Sequence, residues 1–384
     1  MTTTISQTVG GIYTRALARP VVHKGELLSV QRLRGVAVLM VLIVHVEDVS
    51  RHLAGWGGVH SAYTRHLGYS AADMFFVISG FIMAYITFTR PFDARSWAIS
   101  RFIRIYPMYV LFSLLVMVMW LRDPRMTMGT GEQTWSRVLV SLAGLPQADL
   151  PLLFVGWTVE HEIVFYTVVF LTARFLGRDR LFLVMALLSS LAIARWLLQQ
   201  LNGTELWDAH LASLYMLQFT MGVFIFRWRD RLCSFGWRLP LVFGAGCLLG
   251  GIVFAESGTI NHEPMVRVVW FGLAYSGLLV AMLTRERARR ASGLVEQHRD
   301  PLVWIGDASY SIYLTHPFVL GASGKLFPLL PVSIVGQWTA VAAAAAATLV
   351  VGLATHVLLE RQVMELGRWL SRPRRPAVAT GVTQ

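Results

Sequence analysis

Apolar stretches long enough to cross a lipid bilayer recur along the whole chain, and this repetition restricts the possible folds more than any other feature. An α-helix needs about 20 residues to span the ~30 Å hydrocarbon layer. Only helices and closed barrels pair all their backbone groups in lipid, so the pattern predicts an all-α polytopic membrane protein with about ten transmembrane helices. Only 15% of the residues are charged, against about 25% in soluble domains. The stretches lie at residues 33–47, 69–89, 103–121, 157–175, 181–199, 209–226, 239–255, 266–284, 302–321 and 333–358.

Lysine and arginine alternate between the two sides of this arrangement. With the N-terminus placed in the cytoplasm, the cytoplasmic segments contain 26 of these residues and the opposite loops contain 7, while Arg195 lies within a predicted helix. Cytoplasmic loops of membrane proteins collect positive charge, so the count predicts that both termini are cytoplasmic. It also explains the net charge of +12 without a nucleic-acid partner.

The predicted helices divide the chain into three regions. Residues 1–32 form a cytoplasmic N-terminal segment, residues 33–360 the transmembrane domain, and residues 361–384 a cytoplasmic tail that we expect to be partly disordered. An apolar piece at 138–145 is too short to span, which predicts a short non-spanning helix between the third and fourth transmembrane helices. Cys233 lies in a basic loop and Cys247 in an apolar run, so neither a disulfide nor a metal site is expected from them.

Three arginines lie near the predicted cytoplasmic edge of the membrane. Arg34 and His45 are eleven residues apart on the first helix, which places them on one face about 16 Å apart along the axis. Arg101 and Arg104, three residues apart, share a helix face. The arginines either mark the cytoplasmic side only or form a cationic mouth for an anionic ligand.

Four ionisable residues from four predicted helices fall in the outer half of the membrane, where such groups are costly unless they have partners or a function. Each also has a structural interpretation: a helix cap or buried hydrogen bond for the aspartate, and pairing with carbonyls freed by Pro317 for the second histidine. These residues are His45, Asp73, Glu162 and His316.

The glutamate at position 162 is preferred over its neighbour Glu160 as a site residue. Glu162 and Tyr166 are four apart and share a face of their helix, whereas Glu160 points elsewhere. Glu160 and Arg195 receive no role from the sequence.

Five segments together resemble the acyltransferase 3 family of integral-membrane O-acyltransferases, which modify bacterial surface polysaccharides. They occur in the family's order over most of the chain. The sequence WTVEH replaces the Ser-rich segment of many members and is more similar to the exopolysaccharide acetyltransferase branch. The segments are LRGVAVLMVLIVHV (33–46), AADMFFVISGF (71–81), SRFIRIYP (100–107), GWTVEHEIVFY (156–166) and SYSIYLTHP (309–317).

The resemblance implies transfer of an acyl group, usually acetyl from acetyl-CoA, to a sugar hydroxyl of a lipid-linked or extracytoplasmic glycan at the bacterial inner membrane. Arg34, Arg101 and Arg104 would bind the phosphates of coenzyme A. His45 would be the general base, or less readily an acyl carrier, with Glu162 orienting it. Substrate positioning would fall to Asp73, Ser79, Tyr166 and His316.

Other functions remain open at this stage. The same scaffold could acylate a small molecule such as a macrolide or a lipo-oligosaccharide. The buried histidines and carboxylates could instead form the proton relay of a secondary transporter. A non-catalytic scaffold would have no need of them. No metal is implied, and the oligomeric state is undetermined.

Overall fold

A computed structural model describes residues 27–50, 53, 62–125, 131–203, 207, 209–256, 264–294, 300–330 and 333–370. Within these ranges the regular structure is entirely helical, as predicted. The α-helices are α1 (Leu28–Ser50), α2 (Ala62–Tyr69), α3 (Ala71–Thr89), α4 (Ala94–Arg122), α5 (Trp135–Ala143), α6 (Gly156–Leu171), α7 (Leu181–Asn202), α8 (Tyr215–Ser234), α9 (Arg238–Glu256), α10 (Pro264–Ala291), α11 (Pro301–Asp307), α12 (Ser309–Leu326), α13 (Ile334–Thr355) and α14 (Arg361–Leu370).

Five helical segments among the described residues are long and apolar enough to cross a membrane. One of them, Gly156–Asn202, has 47 residues, about 70 Å of helix, which is longer than one bilayer crossing needs. It holds two of the ten predicted helices, α6 and α7, joined by a π-helical turn at Thr172–Gly177 and a 3-10 turn at Arg178–Arg180. The chain is thus a multi-pass helical membrane protein, while ten crossings and cytoplasmic termini remain predictions. The five segments are Arg65–Thr89, Ala94–Arg122, Gly156–Asn202, Met265–Ala291 and Val335–Leu370.

The short helix predicted between the third and fourth crossings is confirmed as α5, which has nine residues. At 1.5 Å per residue it is about 13 Å long and cannot span a bilayer. Its N-cap Thr134 accepts a hydrogen bond from the backbone N–H of Arg137, and its C-cap Gly144 adopts the left-handed conformation at φ 63°. Both ends are therefore fixed by local sequence.

Two predicted boundaries differ from the structure. The window at 302–321 is divided into α11 and α12 at Ala308. The predicted tail begins as a helix, because α13 continues through a π-helical turn at His356–Glu360 into α14. α14 packs on α4, where a Cβ at Gly367 would lie 2.7 Å from Cγ2 of Ile103. The N-terminal segment 1–26 and residues 371–384 lie outside the described residues.

Glycines allow α3 and α8 to cross in direct backbone contact. A Cβ at Gly80 would lie 2.1 Å from the carbonyl oxygen of Phe219, and a Cβ at Gly222 would lie 2.1 Å from that of Val77. No side chain larger than hydrogen fits at either point, so the two backbones touch, as small residues allow in membrane helix packing. This contact fixes α3, and with it Ser79, against the bundle.

An ion pair and a helix cap anchor the start of α1 to α11. Nε of Arg32 donates to Oδ2 of Asp300 at 2.7 Å, and the backbone N–H of Val303 donates to Oδ1 at 2.9 Å. Partial burial acts to raise the pKa of Asp300, but these two hydrogen bonds lower it below its usual value. A Cβ at Gly306 would lie 1.9 Å from the carbonyl oxygen of Gln31, so α11 also touches the backbone of α1.

Candidate active site

A cavity inside the bundle gathers polar side chains from α1, α3, α4, α6 and α12. It contains about 850 Å³ of space not filled by protein, including the part that opens to the outside. Six of the nine residues predicted for the site line it, whereas the other three, His45, Asp73 and His316, do not. The polar residues of its wall are Arg34, Ser79, Arg101, Arg104, Thr158, Glu162, Tyr166, Ser309, Tyr310 and Tyr313.

Three guanidinium groups face this cavity, from Arg34, Arg101 and Arg104. Nη2 of Arg34 donates to Oγ of Ser309 at 2.9 Å, and Nη1 donates to Oε1 of Gln31 at 3.4 Å. These two partners are uncharged, so the positive charge of Arg34 is not cancelled by them. Guanidinium groups bind phosphate and carboxylate through charge-assisted hydrogen bonds. The wall can therefore hold an anionic ligand.

Arg104 is paired with a buried carboxylate that the sequence analysis did not single out. Nη1 of Arg104 lies 2.5 Å from Oε1 of Glu360, and only 1% of the Glu360 side chain is exposed. Oε2 of Glu360 accepts hydrogen bonds from Oγ of Ser311 at 2.6 Å and from Nδ1 of His356 at 2.7 Å. His356 and Glu360 lie four residues apart at the end of the last predicted helix. This spacing places them on one helix face and is the feature of the sequence that could have indicated Glu360. Glu360 thus offsets the charge of Arg104.

Glu162 connects α6 to α3 on the cavity wall. Its Oε1 accepts hydrogen bonds from the hydroxyl of Tyr166 at 2.6 Å and from Oγ of Ser79 at 2.9 Å. The four-residue spacing of Glu162 and Tyr166 therefore brings the two together, as predicted. Within the described part of the chain, Oε2 of Glu162 accepts no hydrogen bond, so this oxygen can interact with a ligand.

His45 lies near the other end of α1 from Arg34, beside aromatic rings rather than in the cavity wall. Its imidazole stacks on that of His316, with ring centres 5.0 Å apart. It is steeply inclined to the Tyr69 and Phe154 rings, whose centres lie 6.1 and 5.7 Å away. Nδ1 of His45 lies 3.6 Å from Oδ2 of Asp48. The carboxylate beside His45 is thus Asp48, from the next turn of the same helix.

His316 is buried, with one nitrogen bonded and one left over. Nδ1 donates to the backbone carbonyl of Tyr313 at 2.6 Å, which makes Nε2 the acceptor nitrogen. Nε2 is buried and has no hydrogen-bond partner among the described residues. The Tyr313 ring lies 5.7 Å from the His316 ring and also lines the cavity. A single aromatic side chain therefore borders both the cavity and the histidine pair.

The expected contact between His45 and Glu162 is absent from the structure. The segment before α6 runs through the protein interior, since Leu152, Leu153 and Val155 are at most 1% exposed. Glu162 lies in the wall that contains the arginines, and His45 does not line that wall.

Asp73 is fully buried in a network outside the cavity wall. Its Oδ2 accepts a hydrogen bond from Nη2 of Arg267 at 3.0 Å, and its Oδ1 accepts one from Nε2 of Gln218 at 2.6 Å. These partners connect α3 to α10 and α8. The arrangement matches the structural interpretation of Asp73 more closely than substrate positioning.

The two residues without a predicted role are fixed near each other in a second cluster. Glu160 is 1% exposed, and its Oε2 lies 3.2 Å from Nε2 of His210. The His210 ring stacks on His161 with centres 3.8 Å apart. Nε of Arg195 donates to the carbonyl of Ala212 at 2.9 Å, so Arg195 secures the segment that carries His210. Sequence spacing could not reveal this cluster because its members come from separate segments.

Comparison with known proteins gives the same family as the motifs. A family model described as an acyltransferase domain matches residues 27–357. The chain is 31% identical to the exopolysaccharide production protein ExoZ of Rhizobium meliloti, over 79% of this chain and 91% of that protein. It is 25% identical to acyltransferase MdmB of Streptomyces mycarofaciens, over 89% of this chain and 92% of that protein. No solved structure matches significantly. Since the family model covers most of its length, the chain belongs to the acyltransferase 3 family and is an O-acyltransferase.

Proposed function

We propose that this enzyme transfers an acetyl group from acetyl-CoA to a sugar hydroxyl of a bacterial exopolysaccharide or another surface glycan, in lipid-linked form. It would act in the inner membrane with both termini in the cytoplasm. One observation carries the proposal: Tyr313 borders both the arginine-lined cavity and buried His316, on which His45 stacks. The similarity to ExoZ, named for exopolysaccharide production, favours a polysaccharide acceptor. The name of MdmB specifies no acceptor.

The cavity would hold the acyl donor. Coenzyme A carries phosphates at one end and the thioester at the end of a flexible arm. Arg34, Arg101 and Arg104 face the cavity and would bind the phosphates, with Arg104 the weakest contributor because Glu360 already pairs with it. The arm would extend toward Tyr313, with the thioester next to the histidine pair.

The histidine pair would supply the proton transfer. His45 accepts the proton of the sugar hydroxyl while the hydroxyl oxygen attacks the thioester carbonyl carbon. The carbon–sulfur bond then breaks, and the sulfur of coenzyme A takes the proton back from the imidazolium. The products are the O-acetylated sugar and coenzyme A, and the imidazole is neutral again.

Nearby groups would orient and support this base. Oδ2 of Asp48 lies 3.6 Å from Nδ1 of His45. A closer approach, to hydrogen-bond distance, would hold the proton on Nδ1 and leave Nε2 to act as the base. The unpaired Nε2 of His316 is an acceptor for the sugar hydroxyl. Glu162, with Ser79 and Tyr166, would position the donor arm through its free Oε2.

The test uses purified protein in lipid nanodiscs with radiolabelled acetyl-CoA and a lipid-linked oligosaccharide from the producing cell. We expect label in the glycan with the wild-type protein and transfer slower by about 10²–10⁴-fold with His45→Gln, while His66→Gln, the same replacement on α2, retains activity. NMR of surface glycan from wild-type and deletion cells identifies the hydroxyl. Normal acetylation by His45→Gln, or acetylated glycan in deletion cells, would refute the proposal.

A further inference from the structure

A second, wider cavity adjoins the first at the end of the bundle where α3 ends and α4 begins. It contains about 1330 Å³ of space not filled by protein, including its opening to the outside. The two cavities have Arg101 and Arg104 in common. The same two guanidinium groups therefore border both spaces, and the two cavities are neighbours. We call it the vestibule, and its walls come from α3, α4, α14 and the segment between α3 and α4.

The charge on the vestibule wall is mainly positive. Arg90 follows α3 and Arg368 lies on α14, so that four arginines line the space together with one carboxylate, Asp93. Asp93 caps α4, because its Oδ2 accepts a hydrogen bond from the backbone N–H of Ser96 at 2.8 Å. Arg368 is 73% exposed and lies 3.7 Å from Glu365, a weak surface pair. The excess of guanidinium groups fits a ligand with several negative charges.

The uncharged part of the wall contains two serines, Ser96 and Ser100, and is otherwise mainly apolar, with two aromatic rings. Phe92 and Trp97 line it, with ring centres 6.4 Å apart, and aromatic side chains stack on nucleobases. Trp97 is held in place, since its Nε1 donates to Oγ1 of Thr87 at 3.3 Å. Phosphate-binding guanidinium groups and an aromatic surface therefore lie in one space.

α14 closes one side of the vestibule. Gly367 packs directly on α4, while Leu366 and Trp369 are 56% and 63% exposed. Exposed apolar residues beside arginine are typical of a helix at the membrane interface. A vestibule beside such a helix would open where a water-soluble ligand can enter.

We propose that the vestibule binds the nucleotide end of the acyl donor, with Arg90 and Arg368 on its phosphates, and that the donor's arm passes Arg101 and Arg104 into the inner cavity. This rests on the proposed use of acetyl-CoA. A lipid headgroup also carries phosphate, but it has no base to stack on Phe92 and Trp97 and no arm that enters the protein interior.

The test compares two donors, acetyl-CoA and S-acetylpantetheine, which lacks the nucleotide. In Arg90→Gln/Arg368→Gln we expect the KM for acetyl-CoA to rise about tenfold, because two exposed guanidinium groups, each weakened by solvent screening, are lost together. The KM for S-acetylpantetheine should stay unchanged. Arg285→Gln is the matched control. Arg285 lies over Trp237 near the end of α10, so this substitution removes a similar surface charge at a place away from the vestibule. Equal effects on both donors, or no effect on either, would overturn the proposal.

Direct binding separates this inference from the proposed function. Adenosine 3′,5′-bisphosphate, the nucleotide part of coenzyme A, should bind the wild-type protein in calorimetry and bind the double variant about tenfold more weakly. If the wild-type protein transfers acetyl from neither donor, the proposed function fails. The binding experiment still shows whether the vestibule binds the nucleotide. The nucleotide assignment would be overturned if adenosine 3′,5′-bisphosphate does not bind. It would also be overturned if only phosphatidylglycerol vesicles, and not the bisphosphate, compete with coenzyme A for the protein.

Discussion

The imidazoles of His45 in α1 and His316 in α12 stack with their ring centres 5.0 Å apart and their planes inclined by 22°. Nδ1 of His316 donates to the carbonyl of Tyr313 at 2.6 Å, which leaves its Nε2 as a proton acceptor. Nδ1 of His45 lies 3.6 Å from Oδ2 of Asp48, close to but beyond hydrogen-bond distance. The acid–base centre that we propose is this pair of histidines rather than a His45–Glu162 contact.

Replacement of His45 should remove catalysis without removing donor binding. In His45→Gln we expect the rate of acetyl transfer to fall by about 10²–10⁴-fold, the usual contribution of a general base. The dissociation constant of coenzyme A should stay the same, because His45 does not line the cavity. Steady-state rates and calorimetry measure the two quantities. A variant that loses donor binding in parallel would place His45 in the donor site instead.

Arg101→Lys tests the shape of the cation as well as its charge. Lysine keeps the positive charge but lacks the planar fork that holds phosphate through two bonds. We expect the KM for acetyl-CoA to rise about tenfold, as for the loss of one charge-assisted hydrogen bond, with kcat nearly constant. Donor titrations at saturating acceptor provide the measurement, and an unchanged KM would exclude Arg101 from donor binding.

The Arg104–Glu360 pair should matter most for stability. Glu360→Gln leaves a guanidinium without its buried counter-charge, and we expect a loss of about 3–5 kcal/mol in the free energy of unfolding. The double variant Arg104→Met/Glu360→Leu removes both charges and should recover most of that loss. Thermal unfolding in detergent, followed by tryptophan fluorescence, compares them. If Glu360→Gln is as stable as the wild type, the Arg104–Glu360 pair contributes little to stability.

Asp73 and Ser79 lie on the same helix and should behave differently. Asp73→Asn breaks the ion pair with Arg267, so we expect a lower unfolding temperature but normal KM values in the folded protein. Ser79→Ala removes a donor to Glu162 on the cavity wall and should change the donor KM with little effect on stability. A raised acceptor KM in Asp73→Asn would instead support the positioning role that the motif implies.

Replacement of Gly222 by a residue with a side chain should destabilise the contact between α3 and α8. Valine there would meet the carbonyl oxygen of Val77 and the backbone of Phe81, and overpacking of this kind costs about 1–3 kcal/mol or more. Gly246→Val is the matched control, because a Cβ at Gly246 meets no atom within 4 Å. Yield and unfolding temperature of both variants give the comparison; equal stability would mean that α3 and α8 separate without cost.

Spacing along single helices predicted contacts in the site well. Glu162 and Tyr166 are hydrogen-bonded as their four-residue separation indicated, and Arg101 and Arg104 face one cavity. Contacts between helices were not predictable in this way. Glu360 was missed because its partner, Arg104, lies in a helix far away in the sequence, and a residue near the end of an apolar window resembles a surface carboxylate until the packing is known.

The sequence by itself determined that this protein is a multi-pass helical membrane protein, because apolar length, charge asymmetry and helical periodicity are local properties of the chain. The order of five motifs determined its family. Only the tertiary structure decided which ionisable groups meet. Contacts between helices depend on how the helices pack, and the packing places Glu162 in the wall that contains the arginines and places His316 beside His45.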